Sequence, residues 1–468
     1  MTATEYDLII IGAGAVAENV ADRAVQGGIS AVLIESELVG GDCSYWACMP
    51  SKALLRSGIV LRAAQSVEGA KQAVTGSVDV AATLARRTGF THNWDDQSQV
   101  DWVASAGIDL IRGHGRITGV KTVSVEKDGH LTHLTARHAV VVATGSDPVL
   151  PDIAGLADAR PWTPRDATSA TEIPESLAII GGGVVAVEMA TAYASFGCAV
   201  TIIARSGLLT KEEDFAGVAV EKALTKLGVT VVKESPTLVS RDGLVRITAG
   251  EKVIEAAELL VATGRQPRTT DIGLETVGLT PGDWMHVDDT MLVTGTDWLY
   301  STGDANHRAL LTHQGKYQAR IAGDVIAARA LGQTVHDAPW GSHVATADHG
   351  AVPQVTFSDP EVASVGLTSV AARDAGYDIR VVDYNLGWVA GASLQADDYE
   401  GTARMVVDEK RKVILGVTFV GQDVSELIHA ATIAIVAEVP LDRLWHAVPA
   451  YPTMNEIWLR LLETYQRP

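Results

Sequence analysis

The sequence contains two copies of one local pattern, in which an apolar strand runs into a glycine-rich turn and then a helix. In the first copy, the strand Tyr6–Ile11 leads into Gly12-Ala13-Gly14-Ala15-Val16-Ala17. In the second, the strand Leu177–Ile180 leads into Gly181-Gly182-Gly183-Val184-Val185-Ala186. A further apolar strand follows each helix, so each copy predicts a βαβ unit of about thirty residues. The pattern therefore predicts an α/β fold with two Rossmann-like units.

The glycines of these turns predict that each unit binds a dinucleotide. Without a Cβ, the turn lets a pyrophosphate reach the N–H groups at the helix start, where the helix dipole favours anions. One such turn is a weak signal, but two in the same strand-to-helix context are a strong one. The positions concerned are Gly12, Gly14 and Ala17 in the first unit and Gly181, Gly183 and Ala186 in the second.

The end of the strand after each helix differs between the copies. Glu35 follows the strand Ala31–Ile34, where a carboxylate can accept hydrogen bonds from ribose hydroxyls. The second copy reads Ala204-Arg205-Ser206 there, without an acid. Because a guanidinium attracts a 2′-phosphate and a carboxylate repels it, we expect NADPH rather than NADH at the second unit. The alternative is that Arg205 is an ordinary solvated arginine.

Net charge, the length of apolar runs and the pattern of predicted elements indicate the remaining organisation. The net charge of −20 comes without a basic patch, which argues against a nucleic-acid partner. No apolar run approaches the ~20 residues of a membrane helix, and no signal-peptide pattern is visible, so we expect a cytoplasmic protein.

After about residue 345, short alternating strands and two helices predict a separate α+β unit. The predicted domains are 1–150, 151–267, 268–344, which returns to the first domain, and 345–468.

Two of the three cysteines, Cys43 and Cys48, lie five residues apart. A close pair near a helix start can lower a thiolate pKa and so support a dithiol/disulfide couple. A metal site would need further cysteine or histidine ligands nearby, and the flanking residues supply none. An inert pair is the remaining alternative. Cys198, which follows a glycine and opens a strand, is predicted to be a core residue.

With these residues in hand, the chain resembles the class I pyridine nucleotide–disulfide oxidoreductases over nearly its whole length. The most specific segment is GGDCSYWACMPSKALL at 40–55, which is similar to the redox-disulfide helix of that family. Val140–Ser146 and Leu259–Arg265 both contain the family's Ala-Thr-Gly, and Tyr300–Asp304 resembles its second FAD motif. The resemblance implies bound FAD, a nicotinamide cofactor, and a homodimer formed through the C-terminal unit.

The resemblance also implies roles for individual residues. Cys48 would lie next to the flavin, and Cys43 would be the thiol that attacks the acceptor. Lys52 would lie near flavin N5, with Glu188 as its ion-pair partner, and Asp304 would hold the ribityl or phosphate end of FAD. The other positions assigned to cofactor binding are Gly41, Gly115, Thr144, Gly145, Arg205, Ser206, Gly264, Leu310, Leu311, Thr312 and His313.

The chain departs from the family pattern in two places. The family's catalytic histidine is replaced by Tyr451, although the glutamate five residues later is present as Glu456. An unperturbed phenol has a pKa of ~10 against ~6.5 for imidazole, so tyrosine is the poorer base, and His446 is an alternative. The bulky Tyr45-Trp46 pair between the cysteines is expected either to narrow the approach to them or to pack in the dimer contact.

Three functions therefore remain open. The first is an NADPH-dependent, FAD-containing reductase that acts through the cysteine pair on a disulfide or another small acceptor. The second is a quinone or diaphorase-type reductase in which the cysteines only tune the flavin. The third is a redox sensor that retains FAD but turns over slowly.

Overall fold

The structure is a computed structural model that describes residues 4–466, and its internal contacts divide these residues into two units. The first unit contains the described residues up to Pro50, together with Thr88–Val149 and Gly264–Asp348. The second contains Ser51–Arg87, Leu150–Thr263 and the residues from His349 onward. The chain thus leaves the first unit and returns to it twice. The three predicted domain boundaries stay predictions.

The sheet of the first unit is centred on the first predicted strand. Glu5–Ile11 pairs in parallel with Ala31–Glu35 on one side and with His130–Val142 on the other. This places the glycine-rich turn and Glu35 at the same edge, because the carboxyl ends of parallel strands meet there. The strand order is Asp109–Arg112, Ala31–Glu35, Glu5–Ile11, His130–Val142, Thr122–Lys127 and His114–Gly119, with Leu299–Ser301 also paired to His130–Val142.

Two long helices pack closely against each other in the first unit. Helix Ala15–Gln26 lies against helix Thr312–Ala330, and Arg23 forms an ion pair with Asp324 at 2.8 Å. Gly323 allows this approach, since a Cβ there would come within 2.6 Å of the Arg23 Cβ. The other helices that begin in this unit are Gly41–Tyr45, Cys48–Gln65 (which continues into the second unit) and Gln97–Ser105; Val80–Phe90 begins in the second unit and ends in the first.

The second unit contains the second predicted βαβ pattern. Its parallel sheet has the order Thr230–Val232, Ala199–Ile203, Ser176–Ile180 and Glu258–Val261. Helix Val184–Ser195 follows the glycine-rich turn, and its buried face packs in one core with strand residues such as Ile179 and Ile202. The remaining elements of this segment are the helices Pro164–Ser169 and Asp214–Lys226 and the antiparallel strands Pro236–Asp242, Leu244–Ala249 and Lys252–Ala256.

The C-terminal part of the second unit is an antiparallel sheet covered by helices. Its strand order is Pro353–Thr356, Glu361–Gly366, Val413–Gly421, Thr402–Asp408 and Ile379–Asn385. Its helices are Ser369–Asp374, Ala390–Gln395, Ile428–Val436, Leu441–Leu444 and Glu456–Tyr465. The predicted fold class, two Rossmann-like units followed by an α+β unit, is therefore confirmed.

Among residues 4–466, the helices are all too short or too polar to cross a membrane. The cytoplasmic location expected from the sequence stays a prediction.

Candidate active site

The two glycine-rich turns share the same backbone geometry. Gly12 has a φ of +104°, and a Cβ at this position would lie 2.5 Å from the carbonyl oxygen of Ala143. Gly181 has a φ of +129°, and a Cβ there would collide with the carbonyl oxygen of Ala262. Both positions therefore require glycine. Each turn is thus held against the strand that ends in Ala-Thr-Gly.

Glu35 is fixed at the end of its strand by the backbone. Its carboxylate accepts hydrogen bonds from the N–H groups of Ala13 and Glu37, both at 2.7 Å. Burial raises the pKa of this carboxyl above its usual value, although both hydrogen bonds oppose that shift. An acceptor held in this position at a glycine-rich turn suits the hydroxyls of a ribose.

The second unit presents a different group at the equivalent point. Ile180 pairs with Ile203 as Ile11 pairs with Ile34, so Ala204 occupies the place of Glu35. Arg205 and Ser206 follow and are exposed. Among the described residues, Arg205 has no hydrogen-bond or ion-pair partner, so its guanidinium can meet a ligand.

The residues around the first turn fit FAD. Gly14 forms a β-bridge with Gly40, and a Cβ at Gly41 would lie 2.9 Å from the Gly14 Cα. The absence of side chains at these glycines leaves the backbone open to a ligand. The Thr144 Oγ1 atom is buried and has no hydrogen-bond partner within residues 4–466. Buried polar atoms normally have such a partner, so a bound ligand would be expected to supply it. Gly115 lies over the strand ends, where a Cβ would come 3.0 Å from the Ile34 Cγ2.

Asp304 is held in the first unit by Ser146 and Arg265. The Ser146 hydroxyl donates to the Asp304 carboxylate at 2.5 Å, and the Arg265 guanidinium donates to the Ser146 carbonyl at 2.6 Å. The same guanidinium lies 3.5 Å from Asp304. The neighbouring Gly145 and Gly264 both have positive φ. Asp304 of the predicted second FAD motif is therefore held by Ser146 and Arg265, the residues that directly follow the two Ala-Thr-Gly sequences.

The cysteine pair was predicted near one helix start, and the structure places each cysteine at the start of its own helix. Cys43 is in the short helix Gly41–Tyr45, and Cys48 is the first residue of Cys48–Gln65. Cys48 Sγ is 3.4 Å from the Thr312 hydroxyl. Both cysteines are partly buried thiols in this structure.

The predicted lowering of the thiol pKa is wrong for Cys43. Its pKa is raised above the usual range, first by its hydrogen bond with Cys48 and then by burial, whereas Thr312 and Lys316 lower it. A helix of five residues has too small a dipole to offset burial and a neighbouring thiol. Of the two bulky residues between the cysteines, Tyr45 is buried inside the first unit and Trp46 is half-buried, so the expected effect on access or on the dimer contact stays a prediction for Trp46. Cys198 is buried, as predicted.

Lys52 and Glu188 meet in the second unit. Lys52 Nζ donates to both carboxylate oxygens of Glu188, at 3.1 and 2.8 Å, and the Glu188 side chain is buried. The backbone N–H of Phe357 donates a third hydrogen bond to Glu188 at 3.0 Å, and the Phe357 ring lies 4.8 Å from Lys52 Nζ. The lysine is thus fixed in position, one helical turn after Cys48 in the sequence.

Tyr451 and Glu456, the C-terminal pair, do not form a hydrogen bond with each other in this structure. The Tyr451 side chain is 76% exposed and makes no hydrogen bond to Glu456. Glu456 is buried, and its Oε2 atom has no hydrogen-bond partner among the described residues. His446 is exposed. Of the segment predicted to flank the flavin, Leu310 and His313 are exposed, and Leu311 and Thr312 are half-buried at the start of helix Thr312–Ala330.

Two charged residues of the first unit were not singled out from the sequence. Glu18 is in the first turn of helix Ala15–Gln26, and Lys316 is one turn after Thr312. The only sign in the sequence was that Glu18 is an acid in the first turn of a helix that follows a glycine-rich turn. A phosphate is expected at such a helix start, so an acid there is unusual.

Two dinucleotide-binding units, a cysteine pair and a lysine–glutamate pair together define a flavin- and nicotinamide-dependent thiol oxidoreductase. Residues 6–322 match the family model described as pyridine nucleotide-disulphide oxidoreductase, and residues 352–461 match the dimerisation domain of the same family. The chain belongs to this family and is an NAD(P)H-dependent flavoprotein oxidoreductase of the disulfide-reductase type.

Curated relatives and solved structures are similar over almost the full chain. Mercuric reductase from Staphylococcus aureus is 31% identical over 461 residues, which cover 97% of this chain and 81% of that protein. Dihydrolipoyl dehydrogenase from Geobacillus stearothermophilus is 29% identical, covering 98% and 96%. A Cu(II) complex of the HOCl-induced flavoprotein disulfide reductase RclA from Escherichia coli has the same fold, with a TM-score of 0.84, 23% identity and coverage of 98% and 99%.

Proposed function

We propose that this enzyme transfers electrons from NADPH, by way of bound FAD, to the Cys43–Cys48 pair and from there to a disulfide or another small acceptor. The observation that carries the proposal is the cysteine pair itself. Both thiols are hydrogen-bonded to each other at the start of two helices, within the unit whose turn, Glu35 and Thr144 fit FAD.

Bound FAD would supply two-electron chemistry between the nicotinamide and the cysteine pair. The protein's own residues hold the cofactors and move protons. The first turn and Glu35 bind the pyrophosphate and ribose, and Asp304 supplies a further polar contact. Lys52, restrained by Glu188, supplies a positive charge one turn after Cys48, and Cys48 forms the thiolate that Thr312 can stabilise with its hydroxyl. The reduced Cys43 attacks one sulfur of a disulfide acceptor and displaces the other as a thiol, and Cys48 then attacks Cys43, which releases the second thiol and re-forms the Cys43–Cys48 disulfide.

NADPH is preferred because Arg205 is free to pair with a 2′-phosphate where the other unit has Glu35. The family's C-terminal domain implies a homodimer. In that dimer, Tyr451 and Glu456 would take the place of the family's acid/base pair, with Tyr451 donating a hydrogen bond or a proton.

Anaerobic rapid mixing with NADPH tests the proposal. We expect flavin reduction followed by the long-wavelength absorbance of a thiolate beside oxidised flavin, and we expect Cys48→Ser to lose it. Cys43→Ser should keep flavin reduction and lose turnover with a disulfide acceptor. Cys198→Ser, a buried cysteine in the other unit, is the matched control. Full disulfide turnover by Cys43→Ser would refute the cysteine route.

Direct reduction of a quinone is a second candidate, favoured by the raised pKa of Cys43 and by tyrosine at position 451. It predicts that Cys43→Ser retains quinone reduction at the wild-type rate. A slow sensor would instead turn over well below ~1 s⁻¹ with every disulfide and quinone tried.

A further inference from the structure

The Arg205 loop, residues 205–213, rests on the second glycine-rich turn. A Cβ at Gly182 would collide with the Gly207 carbonyl oxygen, so the backbone of the loop lies directly against the turn. The Leu209 N–H also donates to the Gly182 carbonyl at 2.8 Å. The exposed Arg205 side chain therefore belongs to a segment that packs on the proposed NADPH site.

The other end of the Arg205 loop is bound by the C-terminal part of the same unit. Glu213 is 4% exposed, and its carboxylate accepts three hydrogen bonds. The backbone N–H and the hydroxyl of Ser369 donate at 2.6 and 2.9 Å, and Arg404 Nη1 donates at 2.8 Å. The adjacent Glu212 carboxylate accepts from the Gln354 amide at 2.5 Å. Because a buried carboxylate is costly to leave unpaired, this end of the loop is fixed.

Arg404 is held in place by a second acid. Its Nε and Nη2 atoms donate to the two carboxylate oxygens of Asp383, each at 2.8 Å, and the two residues are paired across neighbouring strands. The Nη1 atom is then left to reach Glu213. The guanidinium also lies 5.0 Å from the centroid of the Phe215 ring, at the start of the helix that follows the loop. A planar guanidinium can contact two acids and a ring at once, which a lysine cannot.

The helix that begins after Glu213 restrains the middle of the loop. Gly217 is in the first turn of helix Asp214–Lys226, and a Cβ there would collide with the Leu208 carbonyl oxygen. Leu208 directly follows Gly207, which lies on the glycine-rich turn. The Arg205 loop is thus packed between the turn on one side and a helix start that Arg404 fixes on the other.

We propose that Glu213 and Arg404 are positioning residues for coenzyme selection, which hold the Arg205 loop in the conformation that meets the 2′-phosphate of NADPH. A loop that is already ordered loses less conformational freedom when its arginine pairs with the phosphate, so binding is tighter. NADH has no 2′-phosphate, so its binding gains little from the same restraint. The inference rests on the proposed function of Arg205.

Arg404→Met tests the restraint by removing the donor to Glu213. In steady-state kinetics of the holoenzyme, we expect KM for NADPH to rise ~3–10-fold with kcat retained, and KM for NADH to change less than ~2-fold. Adenosine 2′,5′-bisphosphate should inhibit the variant ~3–10-fold more weakly against NADPH, whereas 5′-AMP should inhibit the variant and the wild type alike. Equal changes for NADPH and NADH, or no change with either, would overturn the proposal.

Glu213→Gln is the second variant, and it carries the test if Arg404→Met does not fold. It keeps the shape of the side chain and loses the charge that pairs with Arg404, so KM for NADPH should again rise without a matching rise for NADH. Arg241→Met is the matched control, because Arg241 donates to both oxygens of Glu258, at 3.3 and 2.7 Å, from another strand of the same unit. It should keep the wild-type ratio of the two KM values, and a shift as large as that of Arg404→Met would contradict a specific role for Glu213 and Arg404.

Failure of 2′-phosphate recognition itself is visible separately. If Arg205→Ala loses activity equally with NADPH and NADH, the proposed function of Arg205 fails. If Arg205→Ala loses activity with NADPH alone, while Glu213→Gln and Arg404→Met keep the wild-type ratio, Arg205 recognises the phosphate without this restraint and only the present inference is overturned.

Discussion

The Lys52 ammonium donates to both carboxylate oxygens of Glu188, at 3.1 and 2.8 Å, while the glutamate is buried. A lysine held in this way cannot leave its position without stranding a buried carboxylate. The pair therefore links the conformation of the helix that follows Cys48 to the helix after the second glycine-rich turn.

Lys52→Met should lower the free energy of unfolding by ~1–3 kcal/mol, because Glu188 keeps only the hydrogen bond from Phe357. Urea unfolding of the holoenzyme measures the change. Lys71→Met is the matched control, since the Lys71–Glu68 pair is exposed and should be worth less than ~1 kcal/mol. Equal effects of the two substitutions would contradict a special role for the buried pair.

Arg205→Ala should reduce kcat/KM for NADPH by ~10–100-fold and leave NADH nearly unchanged, since a charge-assisted contact with phosphate contributes ~1.5–3 kcal/mol. Ala204→Glu, which puts an acid where the first unit has Glu35, should shift the preference further toward NADH. Steady-state kinetics with both cofactors measures this, with Arg373→Ala, an exposed arginine elsewhere in the same unit, as control. A parallel loss with both cofactors would count against 2′-phosphate recognition.

Tyr451→His should raise turnover with a disulfide acceptor by ~10-fold or more, because an imidazole titrates near the working pH and the phenol does not. The buried Glu456 oxygen, which lacks a partner among the described residues, is available to accept from the new ring. The gain should follow a pH profile with an inflection near ~6.5. Tyr451→Phe tests the phenol itself, and an unchanged rate in the histidine variant would show that position 451 does not act on the thiols.

Glu18→Gln should stabilise the protein at alkaline pH. The pKa of Glu18 is about 7 in the folded state against an ordinary 4.5, so between these values the folded protein binds more protons than the unfolded chain. Stability from this group is therefore fully present below pH 4.5 and is lost as the pH rises through about 7. We expect the variant to gain ~1–3 kcal/mol more at pH 8 than at pH 5 in urea unfolding. A gain of the same size at both pH values would argue against a raised pKa.

Much of the fold could be predicted because it depends on local patterns. The glycine-rich turns begin at Gly12 and Gly181, as predicted. The strands after the two helices were predicted to end at Ile34 and Ile203, and in the structure they end at Glu35 and Ile203. In contrast, the antiparallel strands between His114 and Val142 were not anticipated, because short mixed segments carry little periodicity.

The residues of the candidate site could be predicted only where they belong to a recognised sequence motif. Lys52 and Glu188 came from the family resemblance, and their contact joins residues 136 positions apart. Lys316 carries no motif, and its effect on Glu18 arises from the packing of two helices distant in sequence. The direction of the Cys43 pKa could not be predicted either, because burial and the hydrogen bond with Cys48 exist only in the folded chain.

The two points where the chain leaves and re-enters the first unit around residues 150–263 are direct neighbours. Ser146–Pro148 pairs with Arg265–Pro267, and the Val149 N–H donates to the Gly264 carbonyl at 3.0 Å. Because the ends already meet, the first unit would lose little loop-closure entropy if this segment were replaced by another of different length. A homologous βαβ segment of opposite coenzyme preference could therefore be grafted between the same two positions, as long as it keeps the carboxylates of Glu188 and Glu213, which bind Lys52 and Arg404 outside the segment.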